Sequence, residues 1–414
     1  MGGYHDIAFS RRAPRKLAGN DFLYNLIMKK IFGWLHLWLG IASGLVVLVV
    51  AGTGSLLVFE EELEHAFRSS FFYVEAPANT SRQPLDNLTA YVLRENPKYK
   101  VLTIGVEPEA NRSIVYLLVK GKPKEIKNQR YVAVNPYSGQ IISSVAGNKR
   151  FFSVVLQLHR YLCMGETGKI ITGISCSIFT ILILTGLILW WPKRNNRKQR
   201  FRVKWDASFK RLNWDLHAVF GFYVHIMLFV IAVTGLIWSY KWVNNLLYLA
   251  FDGNTKQQKI VAPTSKPVEN TGIAYLDKIV ATTNEKLPYE GKITIRFADS
   301  DTLAVSAAKE NRARHDNVSD FLYFEAGTAK LLKVRLYDNE SAGTIARRWV
   351  YPIHTGSFYG WPTKIIALIA ALVAFTLPIS GFLIWIGRKK KKPTAKAKKK
   401  LPVDKTANAR VQVQ

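Results

Sequence analysis

Four long apolar stretches set the rhythm of the chain, at residues 34–59, 170–191, 219–240 and 365–386. At about 1.5 Å of rise per residue each can cross a hydrocarbon layer of about 30 Å, so the pattern predicts four transmembrane helices. The first begins well inside the chain and lacks a small-residue cleavage site, which reads as an anchor and not a removable leader. Between the stretches the period changes. Residues 85–95 place Leu85, Leu88, Tyr91 and Val92 on one helical face after Pro84. Strand-like runs follow at 113–119 and 131–134, and Asn135-Pro136-Tyr137-Ser138-Gly139 turns the second of them into Gln140-Ile141-Ile142. The same order returns later, with a helix at 275–285, strands at 292–297 and 302–307, and 321–324 turning at Ala326-Gly327-Thr328 into 331–334.

Histidine repeats with the elements. His36 stands 17 residues before Thr53-Gly54, and His217 stands 17 before Thr234-Gly235. His159 stands 26 residues before Thr185-Gly186, and His354 stands 26 before Ser380-Gly381. Two matched offsets imply an internal duplication. The expected fold is a four-transmembrane-helix bundle made of two duplicated two-helix units, with a small α+β module on each. The segments follow: 1–30 before the first helix at 31–59, a module at 60–158, a helix with a preceding interfacial segment at 159–191, a loop at 192–213, a third helix at 214–240, a second module at 241–353, a fourth helix with its interfacial segment at 354–387, and a basic tail at 388–414.

The formal net charge of +29 changes the picture only through where it sits. Arg11, Arg12, Arg15, Lys16, Lys29 and Lys30 precede the first helix, a run from Lys193 to Arg211 fills the loop between the second and third, and lysines crowd the tail. All three fall on one side of a four-span chain, so the positive-inside rule puts both termini in the cytoplasm and the modules outside, in a bacterial periplasm. The basic balance is a topology signal, and no nucleic-acid partner is expected. Cys163 and Cys176 are the two cysteines, which excludes a disulfide framework and a thiolate metal site.

A pseudo-twofold axis along the membrane normal brings His36 opposite His217 at the inner edge and His159 opposite His354 at the outer edge. Ionisable residues at membrane depth are functional candidates, facing helices of bundles build cofactor sites, and haem iron takes axial imidazoles. The neighbours suit haem. Gly40 and Gly221 each follow their histidine by four residues, leaving room for a flat macrocycle or allowing close helix packing. Gly165 and Gly360 match as well, six residues after His159 and His354. Lys169 and Lys364 also match, and with Arg160, Arg347 and Arg348 they offer cations to haem propionates or to lipid headgroups. No carboxylate or thiolate accompanies the histidines, and no Cys-x-x-Cys-His occurs, so two non-covalent b-type haems are expected. His225, eight residues beyond His217, is the rival inner ligand, while His65, His5 and His315 read as surface residues. Trp34, Trp38, Trp190, Trp191, Trp238, Trp242 and Trp361 read as interfacial belt residues.

The segments Leu35-His36-Leu37-Trp38-Leu39-Gly40, Leu158-His159-Arg160-Tyr161-Leu162, Asp215-Leu216-His217-Ala218-Val219-Phe220-Gly221 and Ile353-His354-Thr355-Gly356, with Thr185-Gly186 through Leu189-Trp190-Trp191-Pro192, resemble the PepSY-associated transmembrane proteins, over about residues 29–388. The resemblance implies periplasmic PepSY-like modules and a haem b ferric-siderophore reductase of the inner membrane. Some relatives carry a fused flavoprotein domain, which this sequence lacks. The expectation is thus a transmembrane electron conduit reducing a ferric siderophore or other periplasmic ferric substrate. A cytoplasmic reductase or quinol would be its electron donor and the lipid bilayer its surroundings. The alternatives are a non-enzymatic PepSY-type regulator or partner-binding protein, and a siderophore or iron transporter.

Overall fold

Length and apolarity decide the membrane part. The computed structural model describes residues 17–123, 125–191, 197–255, 262–264, 275–298, 304–312 and 318–388. His5, His315, the cations at 11–16, Lys193, Arg194 and the tail beyond Arg388 lie outside the described residues. The helices are α1 (Leu17–Leu57), α2 (Glu60–Phe67), α3 (Leu85–Glu95), α4 (Phe151–Tyr161), α5 (Gly165–Trp190), α6 (Phe209–Ser239), α7 (Lys241–Asp252), α8 (Leu276–Lys286), α9 (Ala342–Thr355) and α10 (Trp361–Arg388). Four of them, α1, α5, α6 and α10, are long and apolar enough to cross a membrane. Midway along the bundle Ile183, Leu228, Ala232, Ala370 and Ala374 are buried together, with Ala51, Phe179, Val224 and Leu377 against them. The alanines let the helices approach closely and fill the centre with hydrocarbon.

α4 and α9 run up to the bundle and then reverse sharply into α5 and α10. Leu162, Cys163 and Gly165 take φ of 48°, 57° and 60° in the first reversal, and Gly356 and Gly360 take 78° and 63° in the second. The first crossing is tight enough that a Cβ on Gly168 would fall 1.6 Å from the Tyr161 carbonyl oxygen. Gly165 and Gly360 therefore match because the chain must turn left-handed there; a Cβ on either would meet nothing within 4 Å.

The strands of the two expected modules join edge to edge. β1 (Lys100–Val106), β2 (Ile114–Val119), β3 (Gln129–Val134), β4 (Ile141–Ala146), β5 (Ile293–Arg296), β6 (Val305–Glu310), β7 (Ser319–Phe324) and β8 (Leu331–Arg335) form one antiparallel sheet in the order β4-β3-β2-β1-β5-β6-β7-β8. The seam is β1 against β5, with Thr103 opposite Arg296 and Gly105 opposite Thr294. Pairing the two inner edges removes two exposed strand edges at once. α3 and α8 cover one face, where Leu88, Val92, Tyr116, Leu276, Ile279, Ile295 and Phe324 form a shared core.

The same two helices cap each other. Asp86 of α3 accepts the N–H groups of Tyr275 and Leu276 at 2.9 and 2.8 Å, and Asp277 of α8 accepts those of Leu85 and Asp86 at 2.9 and 3.3 Å. Neither helix has a side-chain cap at its own N-terminal flank, Pro84 or Tyr275, so each one's free N–H groups are satisfied by the other half. Asp86→Ala and Asp277→Ala are each expected to cost about 0.5–2 kcal/mol, as a lost N-cap does. Thermal unfolding of the full-length protein in detergent, in which each variant melts below wild type, checks this.

Candidate functional site

Each of the four histidines is seated against a hydroxyl–glycine pair on the neighbouring transmembrane helix. On α1, His36 reaches α5, with Nδ1 3.0 Å from Thr185 Oγ1. On α4, His159 reaches α1, with Nδ1 3.2 Å from Thr53 Oγ1 and 3.0 Å from the Val50 carbonyl. His217 lies in a π-helical turn of α6 (Leu216–Phe220) with Nδ1 2.8 Å from Ser380 Oγ on α10, and His354 of α9 has Nδ1 3.0 Å from Thr234 Oγ1 and 3.0 Å from the Ile231 carbonyl on α6. The glycine beside each hydroxyl makes the seat. A Cβ on Gly186, Gly54, Gly381 or Gly235 would stand 3.1–3.3 Å from the imidazole Cε1 it faces.

The hydroxyls fix the tautomer. Each already donates to carbonyls three and four residues back in its own helix: Thr53 to Val49 and Val50, Thr185 to Ile181 and Leu182, Thr234 to Val230 and Ile231, Ser380 to Thr376 and Leu377. A hydroxyl whose proton is spent can only accept, so the proton of each imidazole sits on Nδ1. Nε2 then keeps its lone pair, the form in which histidine binds a metal.

The imidazoles meet across the bundle in the expected pairs. His36 and His217 have ring centroids 6.4 Å apart at 88°, and His159 and His354 have centroids 6.3 Å apart at 66°. The levels are separated by the 17 residues from His36 to Thr53 on α1, about 25 Å of helix. Around the first pair lies a cavity of about 880 Å³ bounded by α1, α5, α6 and α10 and rimmed at one end by Lys29, Arg200 and Arg388. Gly40 and Gly221 line it. Their added Cβ atoms would meet a neighbour only at 4.0 and 3.6 Å, so helix packing does not require glycine at either and both serve to widen the cavity. His225 lines the same cavity, its ring stacked on Phe222, and is not one of the facing pair.

A family model described as the PepSY-associated TM region matches residues 33–388. The chain belongs to this family. No curated protein matches it. The matched span of this PepSY-associated TM protein contains all four seated histidines and the whole sheet.

The paired imidazoles fit haem. Centroids 6.4 and 6.3 Å apart leave room for one metal ion between the two rings of each pair. Among the described residues no group of three or more histidine, cysteine or acidic side chains could hold a metal. A two-imidazole set suits a metal whose other ligands come with the cofactor. The His159–His354 level carries its own polar fringe. Trp238 stacks on His354 at 6.2 Å and 29°, with the Arg160 and Arg347 guanidinium groups 5.6 and 5.8 Å from its ring, and its buried Nε1 has no hydrogen-bond partner among the described residues.

Several assignments made from sequence move. Lys364 pairs with Glu62 at 2.6 Å and Lys169 with Glu166 at 3.3 Å. Trp190 is 6% exposed and packs inside the bundle, unlike Trp34, Trp191, Trp242 and Trp361, which are at least 60% exposed as belt residues are. His65 is not a loose surface residue: it packs on Phe72 at 4.4 Å, bonds Tyr73 and lines a second cavity of about 1150 Å³ between sheet and bundle. That cavity reaches Tyr351 and Thr355, which flank His354, and its wall pairs Arg112 with Glu107 and Arg150 with Glu60. Sequence reasoning used the four hydroxyl–glycine pairs as a ruler and overlooked that they are the seats.

Two outcomes follow. Thr53→Val leaves His159 Nδ1 the Val50 carbonyl alone and should cost about 1 kcal/mol. Gly54→Val must displace the ring, so its melting temperature should fall further in the same assay. In the second cavity, burial pushes the Glu310 carboxyl above its ordinary 4.5, Lys292 opposing and Glu107 adding. A raised folded-state value means stability is lost as pH climbs above the unfolded value. Glu310→Gln should therefore melt higher than wild type near about pH 8, with the gap closing toward about pH 4.5.

Proposed function

We propose that this PepSY-associated TM protein is a di-haem electron conduit of a bacterial inner membrane that reduces a ferric chelate, a ferric siderophore, on the side of the sheet. The observation that carries the reading is the pair of two-imidazole sites, each with a fixed tautomer, set one above the other in an apolar bundle. In this reading the halves arose by duplication, and Lys29, Lys30, Arg200, Arg202, Lys204, Lys210 and Arg211 mark the cytoplasmic side. The sheet then stands in the periplasm.

His36 and His217 would hold the inner haem b and His159 and His354 the outer one, and bound haem would supply one-electron chemistry at each level. The chain's own residues do the rest. The Nδ1–H bonds to Thr185, Ser380, Thr53 and Thr234 hold each ring in place and raise the basicity of Nε2. The hydrocarbon plug around Ala232, Ala370 and Ala374 excludes water and ions between the levels, which favours electron passage over a route for iron or a chelate. The large cavity beside Tyr351 and Thr355 gives the chelate a place next to the outer pair. There Fe(III) gains one electron and becomes Fe(II), which the siderophore binds far more weakly, so the metal is released with no covalent bond of the ligand broken.

The test is haem quantitation with a reduced-minus-oxidised spectrum of detergent-purified protein. Two b-type haems per chain are expected, one lost in either His36→Ala or His217→Ala and the other in His159→Ala or His354→Ala. A colourless protein expressed with ample haem would return the chain to the regulator reading.

A further inference from the structure

We infer that electrons leave the outer level by way of Trp238 and Tyr351, in the C-terminal half alone, and that the exposed Tyr351 ring is the face on which the ferric chelate docks. The inference rests on the conduit reading and adds to it the residues that meet the chelate. Trp238 is in ring contact with both His354 and Tyr351, at 6.2 Å and 29° to the first and 5.5 Å and 20° to the second. Both spacings are those of aromatic rings in offset contact. Tyr351 is 42% exposed and lines the large cavity between sheet and bundle. One indole thus connects an imidazole of the outer pair to a ring in the wall of the chamber.

The other half is built differently. Trp238 stands four residues past Thr234, and the position four past Thr53 is Leu57. Tyr351 stands three residues before His354, and the position three before His159 is Leu156. Leu57 lines the same cavity, so the first half offers an aliphatic side chain there. The halves share their histidines and their seats but not this aromatic contact. The guanidinium groups of Arg160 and Arg347 lie 5.6 and 5.8 Å from the Trp238 ring. Positive charge over a π system is attracted to its electrons and opposes their removal, so Trp238 couples its two neighbours without being oxidised itself.

The step balances. One electron arriving at the His159–His354 level passes by Trp238 and Tyr351 to the chelate, Fe(III) becomes Fe(II), and both rings end as they began. No proton moves and no covalent bond changes at either ring.

Holoprotein in nanodiscs tests this with two forms of one probe, the neutral tris(maltolate) complexes of iron(III) and of redox-inert gallium(III). Each leucine substitution installs the residue of the other half. Tyr351→Leu should bind the gallium complex about two- to tenfold more weakly, as loss of one aromatic contact does, and Tyr351→Phe should bind it as wild type does. Trp238→Leu should bind it normally. After anaerobic reduction with stoichiometric dithionite, however, saturating iron complex should reoxidise the haem of Trp238→Leu several-fold more slowly than that of wild type, and Trp238→Phe should recover most of the rate. All four variants should keep two haems. Tyr351→Leu that binds and reacts like wild type, Trp238→Leu that reacts at the wild-type rate, or Trp238→Leu that sheds a haem would each overturn the proposal. Gallium binding needs no haem and separates the two readings. A colourless protein whose gallium affinity still drops in Tyr351→Leu would uphold the docking face and sink the conduit with its exit. A coloured protein with equal affinity in Tyr351→Leu would overturn the docking face and leave the conduit standing.

Discussion

A threonine or serine hydroxyl that has already given its proton to its own helix can do one thing for a neighbour, which is to accept. That small constraint sets the chemistry of the whole bundle, because it fixes which nitrogen of each histidine stays bare. It also organises the chain. His36 leans on Thr185 and His159 on Thr53, so α1 and the α4–α5 unit hold each other within the N-terminal half; His217 on Ser380 and His354 on Thr234 do the same within the C-terminal half. Seating is therefore internal to each half, and facing is a matter between halves.

The two levels differ in their surroundings although their seats are alike. The level beside the sheet has cations and an indole packed on His354, and a large cavity with a wall of charged side chains nearby. The opposite level opens into an apolar cavity with polar groups few and placed singly, Trp190 and His225 among them. One chamber is walled by ion pairs and the other mostly by hydrocarbon. Between them lies the apolar core of the bundle.

How much of this could be read from residues depends on range. Histidine offsets are sequence distances, and an offset that is equal in the two halves survives any folding, so both facing pairs were legible. The turns at Gly139 and Gly327 and the helix at Leu85–Glu95 were legible because they are local. The β1–β5 seam was not, since strands nearly two hundred residues apart leave no mark on each other; β1 itself is broken by a bulge between Val101 and Thr103 that spoils its alternation. Asp86 and Asp277 look like ordinary first-turn acids complementing their own helix, and only the fold shows that each serves the other. The Lys364–Glu62 pair was hidden for a related reason, since its partners are about three hundred residues apart in the chain and close only in space. Trp190 misled because tryptophan at a helix end ordinarily faces lipid.

The continuous sheet has a mechanical consequence. Its central seam and the exchanged aspartates fasten the halves together beyond one end of the bundle, and the apolar core shared by Ile183, Ala232 and Ala374 joins them again midway along it. The His159–His354 pair lies between those two joints, and the His36–His217 pair, beside the apolar chamber, lies outside them at the end that the sheet does not tie.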